Sequence, residues 1–138
     1  MQSESDAELR IARIIAGLLL LQISRIRGRT DQNPATTCDD FSVDYVFGFG
    51  EDMTQRIGVA SGDDAFRIFA ILAKALFGYE TGETFCARLV DRQHSPEAIW
   101  GASTGRRDSR SWLRDPTIPP LGWYQYFQSG SVESVSPP

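Results

Sequence analysis

The stretch "IIAGLLLL", residues 14–21, places eight consecutive apolar positions between Arg13 and Gln22, and a fold of this chain is expected to take them out of water. A membrane-spanning helix needs about 20 such positions in a row. Here the longest nearly apolar segment, 11–23, is interrupted by Arg13 and Gln22. A secretory signal starts basic and ends in small residues; this run is preceded by Glu4, Asp6 and Glu8 and followed by Arg25, Arg27 and Arg29. It is therefore expected to build a core, with no membrane partner. Two forms remain open. Ser5-Asp6-Ala7-Glu8 has the pattern of a capping box, and a helix begun there gathers Arg10, Arg13, Gly17 and Ser24 on a narrow polar face and buries the wide remainder. Alternatively, "LRIARIIA" and "LLLLQISRIR" are two strands that meet near Ala16-Gly17, without the turn chemistry that tight hairpins favour.

A core of ordinary size is within reach of the chain. Its 138 residues are 41% apolar, which suits one domain over residues 1–128. The last ten residues, "SGSVESVSPP", are polar and rich in Ser and Pro, and are expected to be a disordered tail over 129–138. Acids outnumber bases 18 to 14, for a net charge of −4, which argues against wholesale binding to nucleic acid or anionic lipid. The acidity lies early: up to Asp64 there are 11 acids and 6 bases, and thereafter 7 and 8. With Cys38 and Cys86 as its only cysteines and no export signal, the chain is read as a cytoplasmic protein with reduced thiols.

Downstream, "FSVDYVFGF" alternates Phe41, Val43, Tyr45, Phe47 and Phe49 with Ser42, Asp44, Val46 and Gly48, the period of a half-buried strand. With "GEDM" as a turn and "TQRIGVAS" as a second strand, a hairpin over Phe41 to Ser61 is expected. Ser61 and Asp64 then offer a capping pattern, and Phe66, Phe69, Ala70, Ala73, Leu76 and Phe77 share a helical face opposite Arg67 and Lys74. Gly78 stands as a stop. "TFCARLVDR" reads as a further strand, "SPEAIW" as a short helix with Ser95 before it and Pro96 at its first position, and "GWYQYF" as a late aromatic strand. The expected fold class is α+β: an antiparallel sheet of three to five strands packed against one main amphipathic helix, 63–77, with the N-terminal segment a helix or a strand pair.

Catalytic signatures are sparse. His94 is the only histidine, and Cys86, eight residues earlier, could form a thiolate-imidazole pair with it. The plainer reading is a core thiol and a solvated loop histidine. Cys38, Cys86 and His94 lack the closely spaced pairs of a zinc site. "GFGED" and "GVASGDD" complete no phosphate-loop or dinucleotide pattern. The chain is thus read as having no catalytic residue, no metal and no cofactor.

Two charged clusters carry the binding hypotheses. Asp39, Asp40, Asp44, Glu51 and Asp52 bracket the first expected strand, where they would steer and dock a basic protein partner, or else merely protect a sheet edge. "TGRRDSRSWLRD" gathers Arg106, Arg107, Arg110 and Arg114 around Trp112, groups suited to phosphate contact and base stacking, or else forms a solvated loop anchored by Trp112.

"DDFSVDYVFGF" and "QRIGVASGDDAFRIFAILAKAL" together resemble the centre of a family of small bacterial α+β proteins of unknown function, through Asp40, Phe41, Gly62, Asp64 and the apolar face from Phe66 to Leu76. The resemblance covers about half the chain. It implies strands at the N-terminus, with "LLLLQISRIRG" beside the hairpin. Arg67 stands where that family commonly has Gln, the Arg-rich segment has no counterpart, and no catalytic residue carries over. The first functional expectation is a non-enzymatic cytoplasmic binding protein, an immunity or inhibitor protein that neutralises a basic toxin or effector through its acids. The alternative is nucleic-acid binding through residues 106–114.

Overall fold

Glycine decides how closely two helices can approach, and here it brings two of them into backbone contact. The computed structural model describes residues 2–29, 39–57, 62–91 and 95–128, within which every regular element is a helix. In chain order these are α1 (Gln2–Arg29), α2 (Asp40–Ile57), α3 (Gly62–Phe77), α4 (Tyr79–Asp91), α5 (Pro96–Arg114) and α6 (Gly122–Gln128). The most extensive contact is between α2 and α5. A Cβ at Gly101 would overlap the Phe41 carbonyl, one at Gly105 would overlap the Tyr45 carbonyl, and one at Gly48 would overlap the backbone of Ala102. Gly101 faces Phe41 and Gly105 faces Tyr45, so the two helices run in the same direction.

The α+β expectation is overturned: the described residues contain no strand. The expected hairpin over Phe41 to Ser61 is α2 as far as Ile57, with its "turn" Gly50 to Met53 in mid-helix; residues 58–61 lie outside the described set. The reason is burial on all sides. Phe41, Val43, Tyr45 and Phe49 are buried, but so are Ser42, Asp44, Val46 and Gly48 between them. In a helix enclosed all round, alternation of polarity no longer reports a face. Ser42 and Asp44 are inside as polar groups, and Gly48 as a point of helix contact.

The same correction applies further on. The "TFCARLVDR" strand belongs to α4, whose Phe85 and Leu89 are buried one helical turn apart. The "GWYQYF" strand is α6. The short helix at "SPEAIW" starts as expected, with Ser95 Oγ accepting from the Ala98 N–H at 3.1 Å and Pro96 in the first turn. It continues through the supposed arginine loop to Arg114, and stops at Asp115 ahead of Pro116, which cannot extend it.

For α1 the helical alternative holds and the strand pair does not, although the helix begins at Gln2, ahead of the Ser5 capping pattern. Its inner face carries Ile11, Ile15, Leu19, Gln22 and Ile26, spaced at three and four residues and all buried. Its polar side includes Arg10, Arg13, Gly17 and Ser24 as expected, but Ile14, Leu20 and Leu21 are also exposed, so less of the helix is covered than its composition suggests.

The helix expected at 63–77 is α3. It packs on α1, α2 and α4 where a sheet was expected, through Ile68, Phe69, Leu72 and Ala73. Gly78, at φ 87°, ends it by donating its N–H to the Lys74 carbonyl at 2.8 Å. The chain then turns straight into α4, whose Gly82 lies against the Lys74 backbone. Aromatic rings fill the centre: Phe41 stacks on Tyr126 with centroids 3.9 Å apart, Trp123 lies 5.6 Å from Tyr45, and Phe77 packs on Phe85 at 4.4 Å. The expected tail, 129–138, lies outside the described residues.

Glycine substitutions should separate contact glycines from idle ones. Gly101→Ala or Gly105→Ala pushes a methyl group into the α2 backbone and should destabilise by about 1–3 kcal/mol. Gly17→Ala, with open space around it, should stabilise by about 0.5–1 kcal/mol through the lower entropy of the unfolded chain. Denaturant melts of the three variants test both directions.

Candidate anion-binding face

The two charged clusters of the sequence turn out to be partners of each other. Arg106 donates to Glu51 Oε1 at 2.9 Å and Arg110 Nε to Asp52 Oδ1 at 3.1 Å, both from α5 to α2. Arg56, one turn along α2, also holds Asp52, at 3.2 Å. At the other end of the helix pair, Asp40 accepts from Arg88 of α4 and from Ser95 Oγ, the latter at 2.9 Å. The charges at the helix ends suit the parallel arrangement. Side-by-side parallel helices bring like dipole ends together, and Asp39 and Asp40 sit at the start of α2 while Arg56, Arg110 and Arg114 lie towards the C-terminal ends.

Of the expected acidic surface, Asp44 and Asp52 are buried at 1% and 4% exposure, and Asp39, Asp40 and Glu51 are half-buried. Asp40, Glu51 and Asp52 are all engaged within the molecule. Asp39 accepts the Ser42 hydroxyl at 2.5 Å, and that hydroxyl in turn accepts the Trp123 indole N–H at 2.8 Å. The five acids therefore sit in and along the α2 packing surface and do not form one outward-facing patch.

The arginines remain more open. Ser103, Arg106, Arg107, Arg110, Ser111 and Arg114 recur at three and four residues, so they line one face of α5 around a shallow depression of about 550 Å³. The side chains of Arg106, Arg107 and Arg110 are 42%, 59% and 53% exposed even where paired. Arg107 has the Asp108 carboxylate 3.8 Å away, and Arg114 is exposed at the last turn. No acidic residue lines the depression. Trp112 is turned the other way, half-buried against the core, so it offers this face no stacking surface.

Behind this face lies a buried polar network that positions α5. The Tyr45 hydroxyl donates to Asp108 Oδ2 at 2.6 Å and accepts from Gln22 Nε2 at 2.8 Å. Asp108 Oδ2 also accepts the Gly122 N–H at 2.8 Å, and Gln22 Oε1 accepts the Tyr124 N–H at 3.0 Å. One phenol thus ties α1, α2, α5 and α6 together. Burial, and next the Asp108 carboxylate, raise the Tyr45 pKa well above the usual tyrosine value; Tyr126 is raised by burial and by Asp39. Neither Gln22 nor Asp108 stands out as important in the sequence. The available signal was a lone amide within the buried series Ile11, Ile15, Leu19 and Ile26.

Cys86 is half-buried, and burial raises its thiol pKa, the opposite of an activated nucleophile. Cys38 and His94 lie outside the described residues, so the thiolate-imidazole pair and the three-ligand set lie partly outside them too. Among the described residues no three His, Cys, Asp or Glu side chains gather as a metal site requires, and no helix is long and apolar enough to cross a membrane. Comparison of the chain with protein-family models, with curated proteins and with solved structures finds no match.

The buried phenol sets an alkaline limit to stability. Because the folded pKa of Tyr45 lies above its unfolded value of 10.0, its contribution is complete below that pH and declines as pH rises beyond it, since the unfolded chain loses the proton first. Denaturant midpoints should fall above pH 10. Tyr45→Phe should blunt that fall and cost about 1–3 kcal/mol at neutral pH, because Asp108 and Gln22 lose a buried partner.

Proposed function

We propose that the protein is a non-enzymatic cytoplasmic binding protein whose α5 arginine face holds the phosphate backbone of a nucleic acid. The observation that carries this reading is the exposed row Arg106, Arg107, Arg110 and Arg114, with Ser103 and Ser111, around a depression lined by no carboxylate. Guanidinium forks match phosphate oxygens two at a time, and flanking hydroxyls add uncharged hydrogen bonds. From Ser103 to Arg114 the row is roughly 16 Å long. Because Trp112 faces the core, contact is with phosphates and carries little base preference.

Neutralisation of a basic toxin or effector, as by an immunity or inhibitor protein, would draw on Asp39, Asp40, Asp44, Glu51 and Asp52. That reading has less support, since Glu51 and Asp52 already hold Arg106 and Arg110. The same pairs determine the experiment. Replacing Arg106 or Arg110 also loosens α2 from α5, whereas Arg107 and Arg114 can be changed with little effect on the core. Binding of a fluorescent oligonucleotide should weaken steeply with salt. Arg107→Gln/Arg114→Gln should make the log–log salt slope shallower by about 2. An unchanged slope and affinity in that double variant would falsify the reading.

A further inference from the structure

The first helix carries a charge opposite in sign to the molecule's. The chain's net charge is −4, yet from Leu9 onward α1 contains Arg10, Arg13, Arg25, Arg27 and Arg29 and no acid; Glu4, Asp6 and Glu8 all precede that stretch. Arg10, Arg13, Arg25 and Arg27 are exposed. Between the two arginine pairs the outer face shows Ile14, Leu20 and Leu21, at 47%, 45% and 60% exposure, around Gly17, which has open space beside it. Arg13 and Arg25 lie twelve residues apart, so the apolar band between them is roughly 18 Å long.

The pattern limits what can cover this band. A second copy crossing antiparallel over Gly17 and Leu21 would set Arg13 against the partner's Arg25, and a parallel copy would set each arginine against its equivalent. Both arrangements oppose like charges. Protein interfaces are anchored chiefly by Trp, Tyr and Arg in fitted pockets, whereas the large side chains of this band are all aliphatic, with only Gly17 and the small Ser24 exposed among them. A lipid surface asks for less: aliphatic bulk at the level of the upper acyl chains, and cations on long stems that reach the phosphates.

We infer that the outer face of α1 lies flat on an anionic lipid surface. Ile14, Leu20 and Leu21 enter beneath the headgroups, and Arg10, Arg13, Arg25 and Arg27 meet the phosphates at both ends of the band. The contact is peripheral, and it uses none of the α5 residues assigned to nucleic acid.

Flotation of the full chain with phosphatidylcholine vesicles, with or without phosphatidylglycerol, tests this. Binding should require phosphatidylglycerol and weaken with salt. Arg25→Gln/Arg27→Gln should reduce partitioning roughly 30-fold at low salt, from two lost cations near the surface. Leu20→Ser/Leu21→Ser should reduce it on the order of tenfold or more by removing the inserted side chains. All four positions are exposed, and far-UV circular dichroism of each variant checks that it folds. Arg107→Gln/Arg114→Gln should bind vesicles normally, and the α1 variants should keep their oligonucleotide affinity, so either reading can fail alone. Four results would overturn the inference: no preference for phosphatidylglycerol, vesicle binding unaffected by Leu20→Ser/Leu21→Ser, vesicle binding lost only in the α5 variant, or an α1-dependent dimer by sedimentation with no vesicle binding.

Discussion

Direct contact between the α2 and α5 backbones is the constraint on which the other features depend. Gly48, Gly101 and Gly105 let the helix axes come close enough for Tyr45 to reach Asp108 and for Glu51 and Asp52 to reach Arg106 and Arg110. Any side chain at those glycines would widen the gap and lengthen every one of these bonds together. The ion pairs are part-buried, each with its carboxylate turned inward and its guanidinium about half in water. Their effect is on register, since they fix which turn of α5 meets which turn of α2 and hence which residues of α5 look outward.

Parallel packing accounts for part of the charge pattern. Two helices side by side in the same direction concentrate partial positive charge at one end, where Asp40 lies in the first turn, and partial negative charge at the other, where Arg56 and Arg114 lie in the last turns. Arg106, Arg107 and Arg110 lie short of the last turn of α5, and their side chains remain about half in water even where Glu51, Asp108 and Asp52 stand beside them.

The sequence made elements legible where one side of a helix meets water. In α3, Arg67 and Lys74 oppose Phe69, Leu72 and Ala73, and the helix is found within one residue of its expected bounds. The Ser95-Pro96 start of α5 was equally plain, because a cap is a local interaction. α2 was misread because it is enclosed, and its β-branched and aromatic residues favour strands when no polar face contradicts them. The arginine row could be read as a cluster, but its meaning could not: whether Arg106 faces solvent or Glu51 depends on a helix 55 residues away in the chain. Gln22 and Asp108 were hidden for the same reason, since their importance lies in a phenol contributed by another helix.

Gln22 also relates chain order to assembly order. Its amide is satisfied by Tyr45, 23 residues later, and by the Tyr124 N–H, 102 residues later. As the chain leaves the ribosome, α1 emerges ahead of both partners of Gln22, and its buried amide stays half-satisfied until α6 arrives. Contacts so distant in sequence close late, because their loop entropy must first be overcome. The inner face of α1 is covered in two stages, first by α3, with which it makes its largest contact, and last by α6, whose backbone completes the bonding of Gln22.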